Sequence, residues 1–303
     1  MTDSLEVARK VFCSLNEQGI ASVILHHFDF EDGGDIDFCS NAQSLDDLYC
    51  HLHDILKREG WEILQILEHE QSAAYLICAG GDGKTQFLML DACLDYRIQG
   101  HLVLPKADLL RGNRRLDWGG FASEASIELS YRFVKAAAKS KPPAPMMDEL
   151  AELWATEGDT LKAWLQTRWG IHLRGWSEDE VAKCFCEIRR ALVKRQWSPA
   201  EIALKVRRVL TPRGLWIEWR GEQPTTIQSE LGPAFRKIHR SACSMFKVFG
   251  SDLIFTRREQ TGLFRRLFLK SIGCWLEASS TEDVMKFLVT RTARYHGWKK
   301  HGE

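Results

Sequence analysis

The chain has 303 residues, 45% of them hydrophobic, with 41 basic and 41 acidic side chains and a formal net charge of zero. That length predicts two or three domains, and the balanced charge gives no overall field toward nucleic acid or an anionic membrane. No apolar run approaches the roughly 18 residues of a transmembrane helix, and nine cysteines without a C-x-x-C pair or secretory signal predict a cytoplasmic chain with reduced, mostly buried thiols.

Asp3 and Glu6 open a helix whose apolar stripe is Val7, Val11 and Leu15, and Gly19 ends it. Val23, Ile24 and Leu25 form a strand running to His26 and His27. An acidic turn through Gly33 and Gly34 follows, and then a strand over Asp35–Cys39. Ser44 caps a helix marked by Leu45, Leu48, Leu52 and Leu56 that stops at Gly60. His51 and His53 within it do not share a helix face well, so Cys50–His53 reads as surface and not as a metal site. Trp61–His69, Ser72–Ala79 and Lys84–Ala92 are three strands of an antiparallel meander, the last two joined by a hairpin turn at Gly80–Gly83.

Alternate side chains of a strand share a face, so Asp35 and Asp37 point one way while Ile36 and Phe38 point the other. Two carboxylates held so are half of a site for a hard cation such as Mg²⁺, which takes oxygen ligands and leaves positions for phosphates. Asp91, ending the apolar run of KTQFLMLDA, supplies a third. The plain alternative is that Asp35 and Asp37 leave a turn and Asp91 caps a strand. In a metal site the carboxylates repel one another, so replacing Asp35 and Asp37 together by asparagine is expected to leave the metal-free chain as stable or more so.

From Ser123 the pattern turns helical: Ser123–Lys139, a loop at Lys141–Pro145, then Leu150, Leu153, Trp154, Leu161, Trp164 and Leu165 at helical spacing. Ser177 with Glu180 and Ser198 with Glu201 read as capping boxes, and Pro199 fits a first helical position. The tryptophans here read as helix-contact residues. Arg189, Arg190, Lys194, Arg195, Lys205, Arg207, Arg208 and Arg213 make a basic stretch, read as a solvated face. Gly214–Arg220 and Gly273–Ala278 are strands around a helix over Ile227–Ser244. Ser279 with Glu282 opens a last helix with Val284, Phe287 and Leu288 as its apolar face, so a parallel βαβ unit is expected. The predicted fold class is α/β (α+β), divided into a small mixed-sheet domain at 1–122, a helical domain at 123–210 and a second α/β unit at 211–303.

His26 with Asp35-Ile36-Asp37, the strand ending in Asp91, and Leu94-Asp95-Tyr96-Arg97-Ile98-Gln99-Gly100 resemble the nucleotidyltransferase-like proteins of bacterial capsule and exopolysaccharide functions, within the DNA polymerase beta-type superfamily. The resemblance covers about residues 20–170, Met147–Gly170 included. Some members carry a thymidylate-kinase-like C-terminal domain, and Arg213–Arg220 stands where its first strand would be, with Gly221–Thr226 at the phosphate loop. This chain has Pro224 and Thr225 there and no G-K-S/T. The loop would therefore lack a donor N–H and the phosphate-binding lysine, which implies a degenerate P-loop and an inactive, interacting unit. The family's Gly-Ser signature is also missing, with His26-His27 near its place.

The resemblance implies that Asp35, Asp37 and Asp91 hold two Mg²⁺ ions, with Asp91 toward the acceptor. His26 then hydrogen-bonds a phosphate or serves as a core histidine, and Lys84, Arg97 and Lys106 supply countercharge. ATP or another nucleoside triphosphate and a small-molecule or glycan acceptor are the implied partners, with a protein partner or homo-oligomer contact through the C-terminal region. Three functions compete. One is a nucleotidyltransferase acting on a sugar, sugar phosphate or polysaccharide-linked acceptor, and another is a degenerate binding or scaffold subunit of the same pathway. The third, a nucleic-acid end-modifying enzyme, is supported by the basic helical stretch alone.

Overall fold

The computed structural model describes residues 4–26, 35–80, 86–139, 142–193, 196–210, 214–219, 231, 238–239, 253–257 and 263–298. The fold is mixed α/β. Helix α1 (Ser4–Glu17) buries Val7, Val11, Phe12 and Leu15, the stripe its spacing predicts. Helix α2 (Leu45–Arg58) begins where the Ser44 hydroxyl accepts the Asp47 N–H, and Gly60 follows its end with φ at +75°.

Both helices lie on one face of a seven-stranded sheet. Its strands are β1 (Ser22–Ile24), β2 (Ile36–Ser40), β3 (Trp61–Glu70), β4 (Ala73–Gly80), β5 (Gln86–Cys93), β8 (Arg114–Arg115) and β9 (Phe121–Ala122), in the order β3-β4-β5-β2-β1-β9-β8. The meander β3-β4-β5 is antiparallel as expected, while β2 joins β5 in parallel. Ile24, Ile36, Phe38, Leu90 and Ala92 pack against α1 and α2, with the Phe12 and Phe38 rings edge to face at 5.1 Å. A small hairpin, β6 (Tyr96–Ile98) with β7 (His101–Leu104), and the short helix α3 (Lys106–Leu109) follow β5.

The opposite face is covered by two different layers. Helices α4 (Ala125–Ala138), α5 (Ala144–Trp169) and α6 (Glu178–Leu192) share a core with Leu25, Cys39 and Cys93. In that core Trp154, Trp164 and Trp176 are helix contacts. Helix α5 starts at Ala144 after Pro143, so the predicted loop gives up its last two residues to the first turn, where proline is tolerated. Helix α7 (Pro199–Leu210) opens at the predicted Ser198, whose hydroxyl accepts the Glu201 N–H.

The second layer is the C-terminal unit: a parallel four-stranded sheet of order β11-β12-β10-β13 with helices α8 (Leu263–Ser271) and α9 (Thr281–His296). Its strands are β10 (Leu215–Trp219), β11 (Ile238–His239), β12 (Leu253–Arg257) and β13 (Trp275–Ala278). Leu215, Ile217, Phe255, Val284 and Leu288 pack on Leu64, Ile77 and Met89 of the larger sheet, and the Thr292 hydroxyl donates to the Leu64 carbonyl at 2.7 Å.

Two sequence readings change here. The last helix is capped one residue later than predicted, by Ser280 with Asp283, where the Ser280 hydroxyl accepts the Asp283 N–H and the Asp283 carboxylate accepts the Ser280 N–H. The helix predicted over Ile227–Ser244 is interrupted by strand β11 at Ile238–His239, where pairing with β12 overrides helical spacing. Leu231 is helical. The remainder of that helix, Asp3, the Gly33-Gly34 turn, Gly81–Gly83, and Gly221–Thr226 of the loop region lie outside the described residues. No helix among the described residues is long and apolar enough to cross a membrane.

Candidate functional site

Strands β2 and β5 run in parallel with Asp37 directly opposite Asp91, so the two carboxylates stand side by side on one face. Asp35, two residues before Asp37, points the same way. One oxygen of each of the three lies within 4.8 Å of the others. Along β5, Met89 packs under the C-terminal unit and Cys93 under the helical layer. Asp91 lies between them, so the carboxylates occupy the strip where one covering layer gives way to the other. Asp37 is 1% exposed, while Asp35 and Asp91 are half-buried.

Asp37 is not left with its charge bare. His26 Nε2, just past β1, and Lys135 Nζ, from α4, both meet Asp37 Oδ2. The Lys135 ammonium also donates to the Tyr131 hydroxyl at 3.3 Å and stands 3.2 Å from His26 Nε2. Tyr131 and Lys135 are four residues apart and so share a helix face. Burial alone would raise the Asp37 carboxyl, but the hydrogen bond from His26 and the charge of Lys135 outweigh it and hold the group well below the usual carboxylate range. Asp91 differs. Burial pushes its carboxyl up against the lowering effect of His69, whose Nε2 meets Asp91 Oδ1 at 2.8 Å, and the nearby Asp37 charge pushes the same way as burial. The phenols of Tyr96 and Tyr131, raised well above their ordinary value by burial and then by the Asp37 charge, stay protonated at neutral pH.

Asp37 Oδ1 is buried and has no hydrogen-bond partner among the described residues. A buried carboxylate oxygen without a donor is costly, and a cation or an incoming ligand donor would satisfy it. Three carboxylates are hard oxygen donors of the kind Mg²⁺ prefers, so the donor set fits that ion.

The other sequence candidates fall as follows. His26 is at the site, with its ring on Asp37 and stacked near Tyr131 at 5.8 Å. Arg97 is engaged within its own hairpin, by Asp95 at 3.7 Å and the Gly100 carbonyl at 3.2 Å. Lys106 donates to the Ala42 carbonyl. Lys84 lies outside the described residues. Sequence reasoning missed Lys135, Tyr131 and His69. A signal for Lys135 existed: it is a single cation in the otherwise apolar FVKAAA turn of α4, where Phe133, Val134, Ala136 and Ala137 are fully buried.

No family model matches the sequence. No curated protein matches it either. Among solved structures the chain is similar to the crystal structure of a "putative nucleotidyltransferase" from H. pylori, at 12% identity and a TM-score of 0.34, over 64% of this chain and 97% of that one. At that score the likeness assigns neither fold nor activity.

Proposed function

We propose that the chain is a Mg²⁺-dependent nucleotidyltransferase that moves a nucleotidyl group from a nucleoside triphosphate to a sugar, sugar phosphate or polysaccharide-linked acceptor in surface-polysaccharide biosynthesis. The observation that carries this reading is the convergence of Asp35, Asp37 and Asp91 around a buried carboxylate oxygen that lacks a partner. The motif resemblance of residues 20–170 supports the choice of reaction. Asp35, Asp37 and Asp91 would hold the metal. When bound, it supplies charge stabilisation for the triphosphate and acidifies the acceptor hydroxyl.

The chain's own residues prepare that step. His26 and Lys135 keep Asp37 ionised and fix its orientation. Asp91, met by His69 Nε2 at 2.8 Å, stands on the acceptor side and accepts the proton that an acceptor hydroxyl gives up. The acceptor oxygen bonds to the α-phosphorus, the bond from that phosphorus to the bridging oxygen breaks, and pyrophosphate leaves. The C-terminal unit, whose sequence lacks the phosphate-loop lysine, acts as a contact surface for a protein partner or a second copy.

A binding subunit without catalysis is the second reading. It is favoured by the Lys135 ammonium, which already compensates one carboxylate. Pyrophosphate release separates the two. The full chain is incubated with each nucleoside triphosphate, Mg²⁺ and a panel of free sugars, sugar phosphates and oligosaccharides, and release that requires both Mg²⁺ and one acceptor supports the enzyme. No release with any pair supports the binding subunit.

A further inference from the structure

We propose that Lys135 takes the place of one of the two divalent cations, so that Asp35, Asp37 and Asp91 hold a single ion and the ammonium is the resident second cation of the site. The inference rests on the metal-site reading above and specifies how many ions that site takes.

Geometry is the first support. A carboxylate that bridges two ions through its two oxygens, one to each ion, needs both of them uncommitted. Asp37 Oδ2 is occupied by the Lys135 ammonium and the His26 ring, and Oδ1 alone is without a partner among the described residues. Asp37 therefore has one oxygen to offer a metal. Whichever His26 nitrogen carries the proton, the ammonium remains on Oδ2.

Charge is the second. With His26 and His69 neutral, three ionised carboxylates and one ammonium carry two net negative charges, which a single divalent ion cancels. A second divalent ion would have to enter beside a fixed positive charge within hydrogen-bond distance of its own ligand, where repulsion is strong because the surroundings are partly dry. Anchoring is the third. Lys135 grows from a helical turn with fully buried neighbours, and Tyr131 and Asp37 both receive its ammonium, with its side chain 25% exposed. Its ammonium is thus tied to two partners at once.

Lys135 is thus a positioning residue for the metal site, and counting bound ions tests it without reference to turnover. Mn²⁺, a paramagnetic stand-in for Mg²⁺, is titrated into the full parent chain, Lys135→Met and Lys135→Arg, with the free ion measured by electron paramagnetic resonance. The inference expects about one bound ion in the parent, about two in Lys135→Met, and about one again in Lys135→Arg, where the charge is kept. Lys135→Gln replaces Lys135→Met if melting curves show the latter unfolded at the assay temperature. Two ions in the parent would overturn the inference while leaving the metal-site reading intact. Equal counts in the parent and Lys135→Met, or an ion bound only after Lys135 is removed, would overturn it as well. No binding in any variant would remove both readings together.

Discussion

The Lys135 ammonium rests on Asp37 Oδ2 across 98 residues of chain, tying the first helix of the helical layer to the strand on which the candidate site begins. Strand β2 therefore carries a buried negative charge whose countercharge comes from a separate layer. That pairing changes what each carboxylate contributes to stability.

Asp37→Asn should destabilise the metal-free chain by about 3 kcal/mol, because it leaves an ammonium facing a neutral amide at a buried position. Asp35→Asn should cost much less, since Asp35 is only half-buried and the Lys135 and His26 contacts stay on Asp37. Sequence patterning predicts that the double replacement leaves the metal-free chain as stable or slightly more so, and the Lys135 contact gives Asp37 alone the opposite expected sign. Denaturant titration of the two single variants checks it. Equal effects of the same sign would contradict it.

Stability should also depend on pH through Asp37. Its folded-state pKa is lowered, so the ion pair's contribution is present above the unfolded carboxylate value of roughly 4 and is lost as the pH falls through the folded one. Asp91 has the opposite sign: its folded pKa is raised, so its contribution is present at low pH and lost as the pH rises through the folded value. The stability gap between parent and Asp37→Asn should narrow as the pH is lowered through the carboxylate range, while Asp91→Asn should gain on the parent toward neutral pH. Melting temperatures from neutral pH down to the most acidic pH at which the parent still folds report both slopes.

In the C-terminal unit, Glu218 at the end of β10 is 2% exposed and is met by Arg266 Nη2 at 2.9 Å. Arg266→Met should cost about 3 kcal/mol by removing a charged partner from that buried carboxylate. Chemical denaturation with tryptophan fluorescence is a suitable readout, because the buried Trp216 lies on the same strand and its indole N–H donates to Thr256 at 2.9 Å. An unchanged midpoint would show that Arg266 is dispensable to the fold.

Much of this arrangement was legible in the sequence. The stripe of Val7, Val11 and Leu15, the Ser44 and Ser198 caps, and the alternation that turns Ile36 and Phe38 away from Asp35 and Asp37 all follow from local periodicity. Local patterns could not give the parallel register that sets Asp37 beside Asp91, since it depends on which strands meet across a long stretch of intervening chain. His69 was missed for the same reason, and the lone cation of an apolar turn marked Lys135 without naming its partner, since each reaches its aspartate only after the chain has folded. Strand β11 was lost because two residues of strand are too few to show a period of two.

The most direct test of the nucleotidyltransferase proposal is the melting temperature of the full chain with each nucleoside triphosphate, with and without Mg²⁺, for the parent and Asp35→Asn. A ligand at about 100 times its dissociation constant adds roughly 2.7 kcal/mol to the folded state. The account predicts a rise of a few degrees with at least one nucleotide, only when Mg²⁺ is present, and its loss in Asp35→Asn. A parent chain whose melting ignores every nucleotide, or that shifts equally without Mg²⁺ and in Asp35→Asn, would contradict it.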